Sequence, residues 1–230
     1  MWKQLLSIFK KDGLCEEAFN ESLDMLRQCQ GMFEDATASL WREGALVDDI
    51  YARDKAINRF ERDVRRRIVT HLAVSSSPDI NMALVLTAIV IDIERIGDYT
   101  KNIVELAIAQ PGAFRGGELE HEVRAVEQIV RGMFAELVPT LESGDVDKAR
   151  QILGDHQMVV GRVEEALGDL IAGRVLDGHS GAAVATALYM RYLKRVSAHL
   201  KNVSTSVVNP YYRIGYREKG SAPKKTEPEA

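Results

Sequence analysis

The chain has little from which a covalent or catalytic framework could be built. Its only two cysteines, Cys15 and Cys29, stand 14 positions apart, so there is no CxxC pair for zinc or dithiol chemistry. They read as buried thiols in a reducing compartment. Six prolines in 230 residues leave few breaks among long charged–apolar alternations, which points to helices. No apolar run reaches the roughly 20 residues of a membrane span; the longest, Met82–Ile91, stops at about half that. No small-residue cleavage site follows the N-terminus, so the chain is expected in the cytoplasm. A net charge of −4 supplies no basic footprint for nucleic acid. There is no P-loop, dinucleotide-binding glycine pattern or nucleophile elbow. The histidines, His71, His121, His156, His179 and His199, share no spacing, and Glu118-x-x-His121 lacks the second ExxH of a di-iron bundle.

What is present centres on Met82–Ala107, MALVLTAIVIDIERIGDYTKNIVELA. Met82–Ile91 is apolar apart from Thr87, and charge begins abruptly at Asp92. The stretch reads as one long helix with its first half buried on most sides. At 100° per residue Glu94, Asp98, Lys101 and Glu105 share one stripe. Three carboxylates on one stripe repel unless something cationic neutralises them. An upstream helix presents Asp54, Asn58 and Glu61 at i, i+4 and i+7. Oxygen ligands without His or Cys suit Mg, Ca, Mn or carboxylate-held iron and do not suit zinc. The alternative is an ion-paired face neutralised by Arg62, Arg65 and Lys101.

Along the chain, residues 1–13 form a short amphipathic helix, with Trp2, Leu5, Leu6 and Phe9 on one face. It would lie on a membrane surface or dock on protein. A helix over 16–43 closes at Gly44, a second runs over 47–73, and Ser77-Pro78 supplies the start signal for the third. Pro111-Gly112 and Gly116-Gly117 divide the chain. The second half then repeats the first: Gly31-Met32-Phe33 recurs as Gly132-Met133-Phe134, and Asp54 aligns with Asp155 at the same offset of 101. In the third helix the offset is 100, matching Lys101-Asn102-Ile103 to Lys201-Asn202-Val203. The expected fold is therefore all-α, a tandem repeat of two three-helix bundles over 14–110 and 118–210. The second repeat is degenerate. Lys194, Ala198 and Thr205 stand where Glu94, Asp98 and Glu105 stand in the first, and Val159 replaces Asn58. The tail over 216–230 is expected to be disordered. Arg62, Arg65, Arg66 and Arg67 form the densest basic cluster, read as solvated rather than as a phosphate site.

The run IERIGDYTKNIVELA resembles the helix motif of the PhoU family at Glu94, Arg95, Ile96, Gly97, Asp98, Asn102 and Glu105, with Tyr99 in place of the usual His. That resemblance implies tandem three-helix bundles. It also implies an acidic helix antiparallel to the ERIGD helix, and metal ions (Fe, Mn or Mg) held by its carboxylates, here Asp54, Asn58, Glu61, Glu94 and Asp98. It further implies control of phosphate uptake and of the phosphate-starvation response without catalysis. The partners would be a phosphate transporter and a membrane sensor kinase, with the protein itself a homodimer. The rival reading is a metal-dependent oxidase or hydrolase using the Asp54/Glu94/Asp98 face.

Overall fold

In the computed structural model the described residues are 2, 3, 6, 13–42, 47, 49–76, 78–110 and 112–218. They form six long helices: α1 (Gly13–Trp41), α2 (Ile50–Val74), α3 (Ile80–Ala109), α4 (Glu120–Ser143), α5 (Val146–Ile171) and α6 (Ser180–Val208). Single 3-10 turns lie at Gly117–Leu119 and Tyr211–Arg213, and no strand occurs among the described residues. The fold is the tandem three-helix arrangement expected. α1, α2 and α3 pack together, as do α4, α5 and α6; the two sets meet through α1 on α4 and α3 on α6.

The helix ends show where local signals competed. Ser77-Pro78 does not start α3. Asp79 is the cap, its carboxylate accepting from the Met82 N–H at 2.9 Å. An ionised cap oxygen beside free N–H groups is a stronger acceptor than a hydroxyl, and it also complements the helix dipole. Ser77 and the expected stop at Gly44 lie outside the described residues. α1 ends with Arg42 in the left-handed region (φ 58°). The Arg42 guanidinium donates to the Ala107 and Gln110 carbonyls at 3.0 and 3.4 Å, so one repeat-end residue also caps α3.

Trp2 corrects the membrane-surface option for the N-terminus. It is buried, its indole N–H donates to the Leu141 carbonyl at 2.8 Å, and its ring meets Phe19 edge-on. It approaches Gly144, which has φ +64° and where a Cβ would stand 2.9 Å from the indole. A tryptophan so placed has no surface left to insert into lipid. Most of the remaining amphipathic segment, including Leu5 and Phe9, lies outside the described residues, as does the tail from 219 onward.

The seam between repeats is a pseudo-two-fold. Phe33 packs on Phe134, its repeat-mate, with ring centroids 5.1 Å apart. Tyr99 stacks on His199, again its repeat-mate, at 5.7 Å. A residue can touch its own counterpart only beside the symmetry axis. α3 and α6 therefore cross antiparallel about this point. Asp92 accepts from Asn202 at 2.9 Å and lies 2.7 Å from His199 Nδ1, while Tyr192 meets Tyr99. The crossing buries Val85, Leu86, Ile89 and Val90. Leu84 and Ile91 of the same apolar run stay exposed, at 38% and 39%.

Glu127 ties three helices together where α4 passes α1 and α6. One carboxylate oxygen accepts from Trp41 at 2.7 Å and from Tyr189 at 2.6 Å; the other accepts from Arg131 at 2.9 Å. Arg131 also donates to Thr37, and Arg124 stacks over Trp41 at 3.8 Å. Phe114, in the linker, wedges against Trp41 at 4.8 Å and donates its N–H to Leu40. Removing the acceptor strands three donors at a mostly dry junction. Glu127→Ala is expected to cost about 3–5 kcal/mol in urea unfolding. A loss below about 1 kcal/mol would show that water replaces the carboxylate without penalty.

Candidate functional site

The site is built where α2 lies closest to α3. Gly97 is the reason they approach: a Cβ there would stand 3.2 Å from Ile57 Cγ2. With that contact made, one turn along α3 brings Asp98 and Lys101 level with Asp54 on α2. Lys101 Nζ donates to Asp54 Oδ1 at 2.9 Å and to Asp98 Oδ1 at 3.0 Å. Asn58 donates its amide to Asp54, to the backbone carbonyl at 3.1 Å and to Oδ2 at 3.3 Å. Arg95 pairs with Asp98 at 2.8 Å and reaches Glu94 at 3.5 Å, and Arg65 pairs with Glu61 at 2.9 Å. Tyr51 donates to Glu105 at 3.1 Å. A shallow depression lined by Arg95, Asp98, Tyr99, Lys101 and Asn102 opens beside the cluster.

All five expected residues therefore share one face, on which Lys101 joins Asp54 to Asp98, Arg65 pairs with Glu61 and Arg95 reaches Glu94. Burial works against the Lys101 charge, but hydrogen bonds to Asp54 and Asp98 outweigh it and hold the ammonium above the ordinary lysine range. Glu94 is the least compensated member. Burial pushes its carboxyl up, Asp98, Glu61 and Asp54 push it further, and Arg95 opposes them. The donor oxygens are of the type that Mg, Mn or carboxylate-held iron takes. Their arrangement is not: Lys101 bridges two of the carboxylates, and among the described residues no three His, Cys, Asp or Glu side chains gather around one point. Lys101 thus supplies the positive charge that a shared ion would supply. Of the neutralising residues expected, Lys101 and Arg65 take part. Arg66 turns to Asp63 and Arg67 to Glu17 and Glu21. The Gly97–Ile57 approach and the Tyr51–Glu105 bond could not be read from spacing, because neither leaves a periodic signal.

The second repeat needs a correction of register. In α2 and α5 the buried positions Ile50, Ile57 and Val64 correspond to Ile152, Val159 and Ala166, an offset of 102 rather than 101. The structural counterpart of Asp54 is therefore His156, not Asp155, and Asn58 corresponds to Val160. A repeated Asp attracted the alignment, whereas packing follows the apolar stripe. His156 Nδ1 lies 2.9 Å from Ser197 Oγ, the hydroxyl that occupies the Gly97 position. Burial, then Lys201 and Lys194, hold the His156 ring down to about 4. The face that is anionic in the first repeat is thus neutral to cationic in the second. Cys15 and Cys29 are free and buried, and burial pushes the Cys29 thiol up.

These features define an all-helical tandem-repeat protein with an open, charged helix face in its first repeat. Comparison with known proteins says which. Residues 22–107 match the PhoU domain model. The chain is 27% identical over 199 residues to a phosphate-specific transport system accessory protein PhoU homolog of Pseudomonas putida, covering 84% of this chain and 77% of that one. The homolog from Aquifex aeolicus (strain VF5) is 29% identical over 106 residues, 45% of this chain and 47% of that one. The crystal structure of PhoU from Pseudomonas aeruginosa superposes with a TM-score of 0.77 at 24% identity, over 85% of this chain and 96% of that one. The PhoU structure from Streptococcus pneumoniae gives 0.72 at 16% identity, over 84% and 92%. Residues 22–107 thus match the PhoU domain, and the fold is that of the PhoU structures over more than four-fifths of the chain.

The electrostatics of Glu94 can be checked by stability. A carboxyl whose folded pKa is raised binds its proton more tightly when folded. Its stabilising contribution is present at low pH and is lost as pH rises through the folded value. At neutral pH the ionised Glu94 weighs against folding. Glu94→Gln is expected to raise the unfolding midpoint at pH 7, and the advantage should shrink as pH falls into the carboxylate range. A lower midpoint at pH 7 would mean that the Arg95 pair outweighs burial.

Proposed function

We propose that this chain restrains phosphate uptake and phosphate-starvation signalling by binding other proteins: a phosphate transporter and a membrane sensor kinase. The observation that carries the reading is the ERIGD-bearing face of α3, set in a fold shared with PhoU structures over more than four-fifths of the chain. The relatives' names supply the context, since they are accessory proteins of a phosphate-specific transport system. Long helices with broad charged sides suit docking on a surface. The chain acts from the cytoplasmic side of the membrane that holds its partners; no helix among the described residues is long and apolar enough to cross one.

The enzyme reading has nothing comparable in its favour. Metal-assisted chemistry needs an ion with an open coordination position in a water-excluding pocket. Here the carboxylates are bridged by Lys101 beside an open depression. A divalent cation shared by Asp54 and Asp98 would have to displace the Lys101 ammonium.

Deletion of the gene in its native cell tests the proposal. Phosphate uptake in phosphate-rich medium is expected to rise, and affinity capture of the tagged chain from those cells should retrieve transporter components. Unchanged uptake together with no transporter in the capture would contradict it.

A further inference from the structure

The two repeats can be compared residue by residue along α3 and α6, and they part company at one end. From Ile91 to Thr100 each position has the same degree of burial as its mate from Arg191 to Leu200. Beyond Lys101 and Lys201 the match fails. Glu105, Ile108 and Ala109 are exposed, Ile108 by 55%, whereas Thr205 and Asn209 are buried at 0% and 1% and Val208 is partly covered. The cover is the chain's own segment Asn209–Glu218, which folds back along α6.

The seating of that segment is specific. The Gly215 N–H donates to Thr205 Oγ1 at 2.7 Å, and the Gly215 carbonyl accepts from Lys201 Nζ at 2.7 Å. Gly215 has φ +86°, and a Cβ on it would stand 3.3 Å from Asn202 Oδ1. Asn209 holds the turn by donating to the Arg213 and Tyr216 carbonyls at 3.0 and 2.8 Å. Lys201, Asn202 and Thr205 thus form a cradle for a glycine turn: one donor, one close wall and one acceptor.

α3 carries the same cradle without a turn seated on it among the described residues; Tyr51 donates to one Glu105 oxygen, Oε1, and Oε2 has no hydrogen-bond partner among those residues. Lys101 and Asn102 are identical to their mates, and Glu105 replaces Thr205 with a stronger acceptor. Two of the three Lys101 ammonium donors serve Asp54 and Asp98, so a third can serve a carbonyl. Around the cradle stand Asp54, Glu94 and Asp98, and Ile108 supplies an apolar edge. We propose that Lys101, Asn102, Glu105 and Ile108 form a docking site for a partner protein's glycine turn flanked by tyrosine and arginine, seated as Asn209–Glu218 is seated on α6. The anionic surroundings select the arginines, and the close wall at Asn102 selects the glycine. The inference deepens the partner-binding reading above. Its test uses only pure protein and peptide, so its failure and the failure of the uptake phenotype are separate results.

The probe is a fluorescein-labelled peptide NPYYRIGYRE, this chain's own residues 209–218, titrated into the full chain and followed by anisotropy. Binding is expected to wild type, and to weaken by about tenfold or more in Glu105→Lys and in Ile108→Asp, both checked for native helicity. A peptide with Val in place of its glycine should bind as weakly. Arg150→Ala, which loosens the resident segment by removing its bidentate pair to Glu218, should leave the affinity unchanged. No binding to wild type overturns the proposal. So does affinity unchanged in both Glu105→Lys and Ile108→Asp, or affinity that shifts with Arg150→Ala, which would place the peptide on α6.

Discussion

The antiparallel crossing of α3 over α6 is the constraint on which the rest of the molecule depends. Each repeat has only three helices, too few to enclose α3 or α6, so each of these two also packs against the other. The pseudo-axis passes where Tyr99 stacks on His199 and Phe33 on Phe134. Fully symmetric residues there would oppose like to like. The chain avoids this in part: His199 stands against Tyr99 and Asp92 faces His199 and Asn202, while Phe33–Phe134 and Tyr99–Tyr192 keep like against like. The Glu127 junction then fixes α1 and α4 to α6 through directional bonds.

Once the crossing holds the backbones in register, side chains on the outer faces can differ freely. The first repeat keeps Asp54, Glu94 and Asp98 around Lys101. At the matching places the second has a neutral His156, Lys194 and Ala198, and its Lys201 holds the C-terminal segment. The same lysine therefore bridges carboxylates in one repeat and a backbone turn in the other. Glycine at 97 lets α2 approach closely enough to bring Asp54 into the cluster; Ser197 at the matching position instead engages His156. The anionic face is thereby concentrated on one repeat.

Much of this could be read in the sequence. The apolar period placed all six helices within a few residues, and the Gly-Met-Phe and Lys-Asn recurrences identified the repeat. Lys101 was visible as a neutralising residue, because helical spacing places it one turn from Asp98. What escaped depended on contacts far apart in the chain. Glu127 sits among Val123, Val126 and Val130 on the buried stripe of α4, yet its partners Trp41 and Tyr189 are 86 and 62 positions away. The repeated Asp of α2 and α5 stands one position off the apolar stripe, and packing follows the stripe, so His156 rather than Asp155 is the counterpart of Asp54. The closing of α6 by residues 209–218 left no periodic trace, since a strap held by carbonyls and one glycine has no repeating pattern.

Whether the anionic face of the first repeat carries the proposed function is tested most directly by complementation. Cells lacking the gene would receive either the doubly substituted Asp98→Ala/Glu105→Lys chain or the His156→Ala/Lys194→Ala chain, each shown to fold, and phosphate uptake would be measured in phosphate-rich medium. The account predicts that the second-repeat variant restores restrained uptake as wild type does, while the first-repeat variant leaves uptake high. Restoration by the first-repeat variant, or failure of the second-repeat variant alone, would contradict it.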